Sequence, residues 1–253
     1  MAARADALRA LHRPGRPLVL PNVWDAASAG VVAAAGFPVL ATSSAAVAAC
    51  LGWADGEQTP ADEMFAAIGR IARVFDLPLT ADIEAGYGLD PDQLVERLLA
   101  VRAVGCNLED SDPASGRLIP GEEQAERVAR VRAAATAAGV GLVLNARVDV
   151  FLGRVQGVED PVEEAVRRGR RYLEAGADCV YPIMAPLETL EGLVRGVGGP
   201  VNAIATPDAA VIAALAATNV ARISLAGHLF RSAQDQLRTL VEGLAPSATA
   251  GGP

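Results

Sequence analysis

The sequence predicts an α/β fold, a single-domain TIM (β/α)8 barrel preceded by an N-terminal helix. Three observations carry that prediction. Short β-type runs alternate with helical patterns along the whole chain, and the returns between them are short. The first strand is followed by Pro21-Asn22-Val23-Trp24-Asp25, not by the glycine-rich loop of a dinucleotide-binding sheet. The chain has 253 residues, of which 51% are hydrophobic and only 4% aromatic. Such a core of Ala, Val, Leu and Ile suits parallel strands covered by helices.

Taken in order, strands are expected at 18–20, 39–41, 79–83, 106–108, 142–146, 179–181, 201–204 and 222–225. Amphipathic helices are expected near 25–35, 61–75, 91–104, 122–138, 161–175, 187–196, 207–217 and 227–243. Pro60, Pro91, Pro161 and Pro207 lie in or near first turns, where the missing N–H costs nothing. Gly36, Gly105, Gly139 and Gly176 stop helices before the next strand. The Arg/Ala/Leu stretch at 1–11 reads as a helix closing the barrel bottom, with no signal-peptide pattern. The barrel is expected over 1–244 and a flexible Pro/Ser/Gly/Ala tail over 245–253.

A formal net charge of −8 argues against nucleic acid or an anionic membrane as partner. No stretch is apolar for long enough to span a bilayer, so a soluble, cytoplasmic protein is expected. Cys50, Cys106 and Cys179 read as buried free thiols, His12 as a surface residue of the first helix, and His228 as a structural residue opening the last one.

In such a barrel the site lies at the carboxyl ends of the strands. Those positions carry Ser43 and Ser44, Asp82 and Glu84, Glu109 and Asp110, and Asn145, Arg147 and Asp149, with Asp55 and Glu57 in the loop after the second strand. Later strands end in Pro182-Ile183, Thr206 and Leu225, so the ionisable groups crowd onto one side of the rim. Residues two apart in a strand face the same way, which aims Asp82 and Glu84 at one point. Two such carboxylates repel unless a cation or proton lies between them. With Asp55 and Glu109 beside them and no His or Cys near, the donor set suits Mg²⁺ or Mn²⁺. Each acid alone would serve equally as a helix cap or a solvated charge, but four at strand ends argue for a site. Arg147 offers a fork for a substrate carboxylate; its alternative is a structural salt bridge to Asp149 or Glu109. The small residues Ser43, Ser44 and Ala45 leave backbone N–H groups available to a carboxylate or oxyanion.

These residues resemble one family. The run 51–57 (Leu-Gly-Trp-Ala-Asp-Gly-Glu), the block 81–88 (Ala-Asp-Ile-Glu-Ala-Gly-Tyr-Gly), Leu108-Glu109-Asp110 and Asn145-Ala146-Arg147 are similar to the isocitrate lyase/phosphoenolpyruvate mutase superfamily. The resemblance runs in order from Pro21 to about Pro182. It implies cleavage or formation of a C–C or P–C bond next to a 2-oxo acid, through a Mg²⁺-stabilised enolate of pyruvate. It implies Asp82 as the most direct ion ligand, with Asp55, Glu84 and Glu109 directly or through waters. It also implies substrate carboxylate binding by Ser43, Ser44 and Ala45, and catalytic roles for Arg147, Asp55 and Glu109. Homo-oligomers, dimeric or tetrameric and sometimes exchanging helices, are a further implication.

The departures matter too. Lyases of that family carry Lys-Lys-Cys-Gly-His after the fourth strand, where this chain has Ser111 to Pro120 with no Lys, Cys or His. The Asn or Thr of phosphonate-handling members is also missing from the loop, and the His they carry after strand six is replaced near Ile183. Retro-aldol cleavage needs an acid and a base, whereas decarboxylation needs chiefly an electron sink. The expectation is therefore a Mg²⁺-dependent C–C lyase of the oxaloacetate-decarboxylating kind. The rivals are a P–C bond enzyme assisted by Ser111, Ser115 or Arg117, and a metabolite-binding barrel without turnover.

Overall fold

The computed structural model describes residues 1–244 except 154 and 156; the expected tail at 245–253 lies outside the described residues. Helix α1 (Ala2–Ala10) leads into β1 (Leu18–Leu20) and β2 (Asn22–Val23), the two halves of one barrel stave. Pro21 separates them because it has no N–H to give a ladder. There follow α2 (Ala26–Ala34), β3 (Leu40–Thr42), α3 (Ser44–Leu51), α4 (Ala61–Ala72), β4 (Leu79–Asp82), α5 (Pro91–Ala100) and β5 (Gly105–Glu109). The second half holds α6 (Gly121–Ala137), β6 (Val143–Val148), α7 (Pro161–Glu174), β7 (Cys179–Pro182), α8 (Leu187–Val197), β8 (Asn202–Ile204), α9 (Ala209–Ala217), β9 (Arg222–Ser224) and α10 (His228–Leu244).

Every ladder is parallel, in the order β2-β3-β4-β5-β6-β7 and β1-β9-β8. A parallel bridge between Val180 and Val201 joins β7 to β8 and closes the ring. This is the expected barrel. Strand β5 is buried at all five positions, as it must be between a filled interior and a helical shell. The main apolar cluster lies between strands and helices, around Met64, Ile68, Leu94, Leu98, Val131 and Tyr172. A second, made of Ala5 and Leu8 against Leu18, Leu20, Val39 and Val143, seats α1 under the barrel.

Several expectations are corrected. Helix α3 lies where a loop was read; its sequence Ser-Ala-Ala-Val-Ala-Ala-Cys-Leu has no polar face to give a helical period. Ser43 caps it and Gly52, at φ 85°, ends it. Helix α5 stops at Ala100 because Arg102 turns left-handed at φ 63°. Asp208, not Pro207, opens α9, accepting from the N–H groups of Ala210 and Val211. His12 is buried, not on the surface: its Nδ1 sits 2.9 Å from the Leu8 carbonyl, and burial followed by repulsion from Arg222 pushes its pKa down to about 4. Cys50 is exposed, whereas Cys106 and Cys179 are buried as expected.

Candidate active site

Asp82 is the last residue of β4 and sits in a ring of donors. Its Oδ2 accepts from the Ser44 backbone N–H at 3.0 Å and the Ser44 hydroxyl at 2.8 Å, and its Oδ1 accepts from Asn107 Nδ2 at 3.1 Å. Thr42 Oγ1 takes the Asp82 N–H at 2.8 Å. Helix α3 therefore does two things the sequence did not reveal. It starts at the mouth of the barrel, and it spends one first-turn N–H on Asp82, not on a substrate.

Asn107 was also missed. Its Oδ1 accepts from Asn145 Nδ2 at 2.7 Å and from Arg222 Nη2 at 3.3 Å, so a guanidinium buried in the barrel interior is one amide away from Asp82. Asn145 was already among the strand-end residues; inward parity on β5 and β9 was the signal that could have found Asn107 and Arg222.

Glu84 reaches the site by a route other than strand parity. β4 ends at Asp82, and Glu84 stands at φ 51° in a turn. Its Oε2 accepts from the backbone N–H groups of Gly56 at 2.8 Å and Glu57 at 2.6 Å, and its Oε1 accepts from the Tyr87 hydroxyl at 2.6 Å. Glu57, Glu84 and Tyr87 all have left-handed φ values, and the Glu57 carboxylate takes the Tyr87 N–H at 2.6 Å. Such backbone is costly for residues with a Cβ, and it clusters here in the two loops that carry the acids.

Arg147, on β6, is held on both sides. Its Nε and Nη2 donate to Asp149 at 2.5 and 2.9 Å, and its Nη1 pairs with Glu109 of the neighbouring strand. Burial opposes its charge, but Glu109 and Asp149 outweigh burial and hold its pKa above the ordinary guanidinium value. The salt-bridge alternative is thus realised at the site itself.

Asp110 does not converge with the other acids. It is fully buried on the opposite side of β5, where its Oδ2 takes Arg168 Nη1 at 2.9 Å and the Tyr172 hydroxyl at 2.8 Å. Its Oδ1 takes the Asp149 N–H at 2.9 Å. Ser111 donates to Asp149 and is 2% exposed, so its hydroxyl is not available to a ligand.

The remaining acids outnumber the positive charge beside them. Burial raises the pKa of Asp55, and Asp82 adds to it. Burial raises that of Glu84 to about 7, with Asp55 and Asp82 adding to it despite the Tyr87 hydrogen bond. Glu109 is raised by burial even beside Arg147. Four carboxylates against one engaged arginine fit a divalent cation. Among the described residues no three Asp, Glu, His or Cys side chains stand close enough to hold an ion between them. That agrees with Mg²⁺, which keeps several waters and takes only one or two carboxylates directly. The fit is to a hydrated ion, not to a four-carboxylate cage.

A pH signature follows from Glu84. Between about 4.5 and about 7 the folded protein keeps a proton on Glu84 that the unfolded chain has lost, so metal-free stability falls as pH rises across that window. Glu84→Gln is expected to remove this part of the slope. Denaturation midpoints of both proteins across the window measure it, and parallel profiles would count against a raised Glu84.

Comparison with known proteins agrees with the geometry. The phosphoenolpyruvate phosphomutase family model matches residues 8–245. A candidate phosphonomutase from Burkholderia cenocepacia J2315 is 41% identical with a TM-score of 0.88, over 94% of this chain and 99% of that one. An uncharacterized protein of Mycobacterium tuberculosis (strain ATCC 25618 / H37Rv) is 32% identical over 85% of this chain and 79% of its own. An oxaloacetate decarboxylase of Bradyrhizobium sp. (strain ORS 278) is 27% identical over 99% of this chain and 89% of its own. With the matching model spanning the barrel and the acids seated at its strand ends, the chain belongs to the phosphoenolpyruvate mutase/isocitrate lyase superfamily of lyases and mutases.

Proposed function

We propose that the protein is a Mg²⁺-dependent carbon–carbon lyase that decarboxylates a small 2-oxo dicarboxylate of the oxaloacetate type. The observation that carries this reading is the site's composition. An acid cluster short of positive charge lies beside Arg147 and the α3 N-terminus, and the loop after β5 carries no Cys, His or Lys. The likeness to an oxaloacetate decarboxylase along nearly the whole chain supports it.

In that reaction the C3–C4 bond breaks, CO₂ leaves, and the electron pair passes to the C2 carbonyl, giving the enolate of pyruvate, which takes a solvent proton at C3. The bound ion would supply the Lewis acidity that accepts this charge. Asp82, fixed by Ser44 and Asn107, would be its nearest ligand, and Asp55, Glu84 and Glu109 would order its waters. Ser43, Ala45 and Arg147 would bind the substrate, and Arg147 with Asp55 and Glu109 would position the reacting groups. With Mg²⁺, purified protein is expected to release pyruvate and CO₂ from oxaloacetate well above the metal-only rate. No excess over that rate would reject decarboxylation.

The second reading is a P–C bond enzyme, favoured by the 41% identity to the candidate phosphonomutase. Ser111 weakens it, because that hydroxyl is committed to Asp149. Phosphorus NMR of phosphonopyruvate with the protein separates the two. Binding without turnover in either assay would point to a metabolite-binding barrel.

We infer that the protein works as a homo-oligomer built through α10. This helix buries no residue against its own barrel, and Leu237, Leu240, Val241 and Leu244 form an exposed stripe at helical spacing. Its root is fixed by Phe230 packing edge-on to Trp24, with ring centroids 5.2 Å apart. Leu237→Glu with Leu240→Glu is expected to give a folded monomer, read by light scattering. An unchanged mass would reject α10 as the contact. No helix among the described residues is long and apolar enough to cross a membrane.

A further inference from the structure

Helix α10 begins at the mouth of the barrel, shortly after β9 ends at Ser224. A helix N-terminus carries the positive end of the backbone dipole and ordinarily attracts acids. The first turn of α10 holds none, and Arg231 stands there instead. The first turn of α3, across the same mouth, also holds no acid. Two positive helix ends and a guanidinium thus share one corner of the rim.

The Arg231 side chain folds back over Gly227. A Cβ built at Gly227 would lie 3.0 Å from Arg231 Nη1 and 3.9 Å from Ser43 Oγ, so guanidinium and hydroxyl flank the same glycine. Among the described residues Arg231 has no ion pair or side-chain hydrogen bond. Its charge reaches His228, whose pKa is lowered first by partial burial and then by Arg231. Arg147, by contrast, is engaged by Glu109 and Asp149, and Ser44 has given its N–H to Asp82.

We infer that Arg231 is a substrate-binding residue that takes the carboxylate of the 2-oxo acid together with the start of α3. The inference rests on the proposed 2-oxo acid chemistry and adds to Arg147, which Glu109 and Asp149 already engage, a cation that no carboxylate among the described residues holds. A guanidinium pairs with a carboxylate through two parallel hydrogen bonds, and Gly227 leaves the room for it to lie against Ser43. Among the described residues Arg231 pairs with none of Asp55, Asp82, Glu84 and Glu109, and it is not among the charges that shift Asp55, Glu84 or Glu109, so ion binding and carboxylate binding separate in experiment.

The test is calorimetric titration of Mn²⁺ into the protein, then of oxalate into the Mn²⁺-loaded protein. It compares wild type, Arg231→Met, Arg231→Lys and, as a control on the same helix, Arg238→Met. All four are expected to bind Mn²⁺ alike. Arg231→Met is expected to weaken oxalate at least about tenfold, as loss of a charge-assisted hydrogen bond does, with partial recovery in Arg231→Lys and none lost in Arg238→Met. Equal oxalate affinity in wild type and Arg231→Met, or an equal loss in Arg238→Met, overturns the inference alone. Failure of Mn²⁺-loaded wild type to take oxalate overturns the 2-oxo acid reading, and Arg231's role falls with it.

Discussion

Asp82→Asn is expected to lower kcat/KM on the 2-oxo acid by about 10³-fold or more, a loss of about 4 kcal/mol of transition-state stabilisation. Both Asp82 oxygens accept hydrogen bonds, Oδ1 from Asn107 and Oδ2 from Ser44. An amide in that position would turn an NH₂ toward one of those donors and would remove the charge proposed to lie nearest the ion. The loss should appear mainly in divalent-ion affinity, with the barrel intact by circular dichroism. Ser44→Ala removes only the hydroxyl donor, and a smaller loss of about tenfold is expected. Full activity in Asp82→Asn at ordinary Mg²⁺ would remove Asp82 from the role given to it.

Arg168→Met is expected to destabilise the protein by about 3–5 kcal/mol, the usual cost of breaking a buried ion pair from one side. The side chains of Arg168 and Asp110 are 6% and 0% exposed. Arg168 Nη1 also donates to the Ile119 carbonyl and lies 3.0 Å from the Tyr172 hydroxyl. Removing it strands Asp110, whose pKa already stands at about 6 because burial and then Asp149 oppose its charge. It also removes one of two ties on the end of the loop after β5, leaving only the Ile119 N–H on the Asp110 carbonyl at 2.8 Å. Arg167→Met is the control: that guanidinium is about half exposed, and its pairing with Glu164 is expected to contribute no more than about 1 kcal/mol. Urea denaturation of the two variants measures the contrast. Equal stabilities would show that the Asp110 cluster is not an anchor.

Much of this was legible in the sequence, for identifiable reasons. The alternation of element types is a long-range pattern, so the barrel survives errors at element ends. Asp55, Asp82, Glu84 and Glu109 could be picked out because a barrel concentrates its chemistry at strand ends. Contacts across the barrel were not legible. Strand parity accounts for Asp82 but not for Glu84, which the chain presents from a left-handed turn braced by Tyr87 and the N–H groups of Gly56 and Glu57. An alanine-rich helix such as α3 carries no amphipathic signal, so its start at the site stayed hidden, and with it the Ser44–Asp82 contact. Asp110 follows Glu109 directly and faces the other way, which parity alone foretold but the carboxyl chemistry obscured. Arg231 lies far along the chain from Ser43, and only the closed ring brings β9 beside the first stave. Its one sequence signal was an arginine in a first helical turn that has no acid.

The central claim is that strand-end acids hold a divalent ion against a 2-oxo acid. Electron paramagnetic resonance of Mn²⁺ titrated into the protein, with oxalate whose oxygens carry a nuclear spin, tests it most directly. The expected result is one tightly bound Mn²⁺ per chain, lost in Asp82→Asn, with lines that broaden when the labelled oxalate is added. Free Mn²⁺ at every protein concentration, or bound Mn²⁺ whose lines ignore the label, would contradict it.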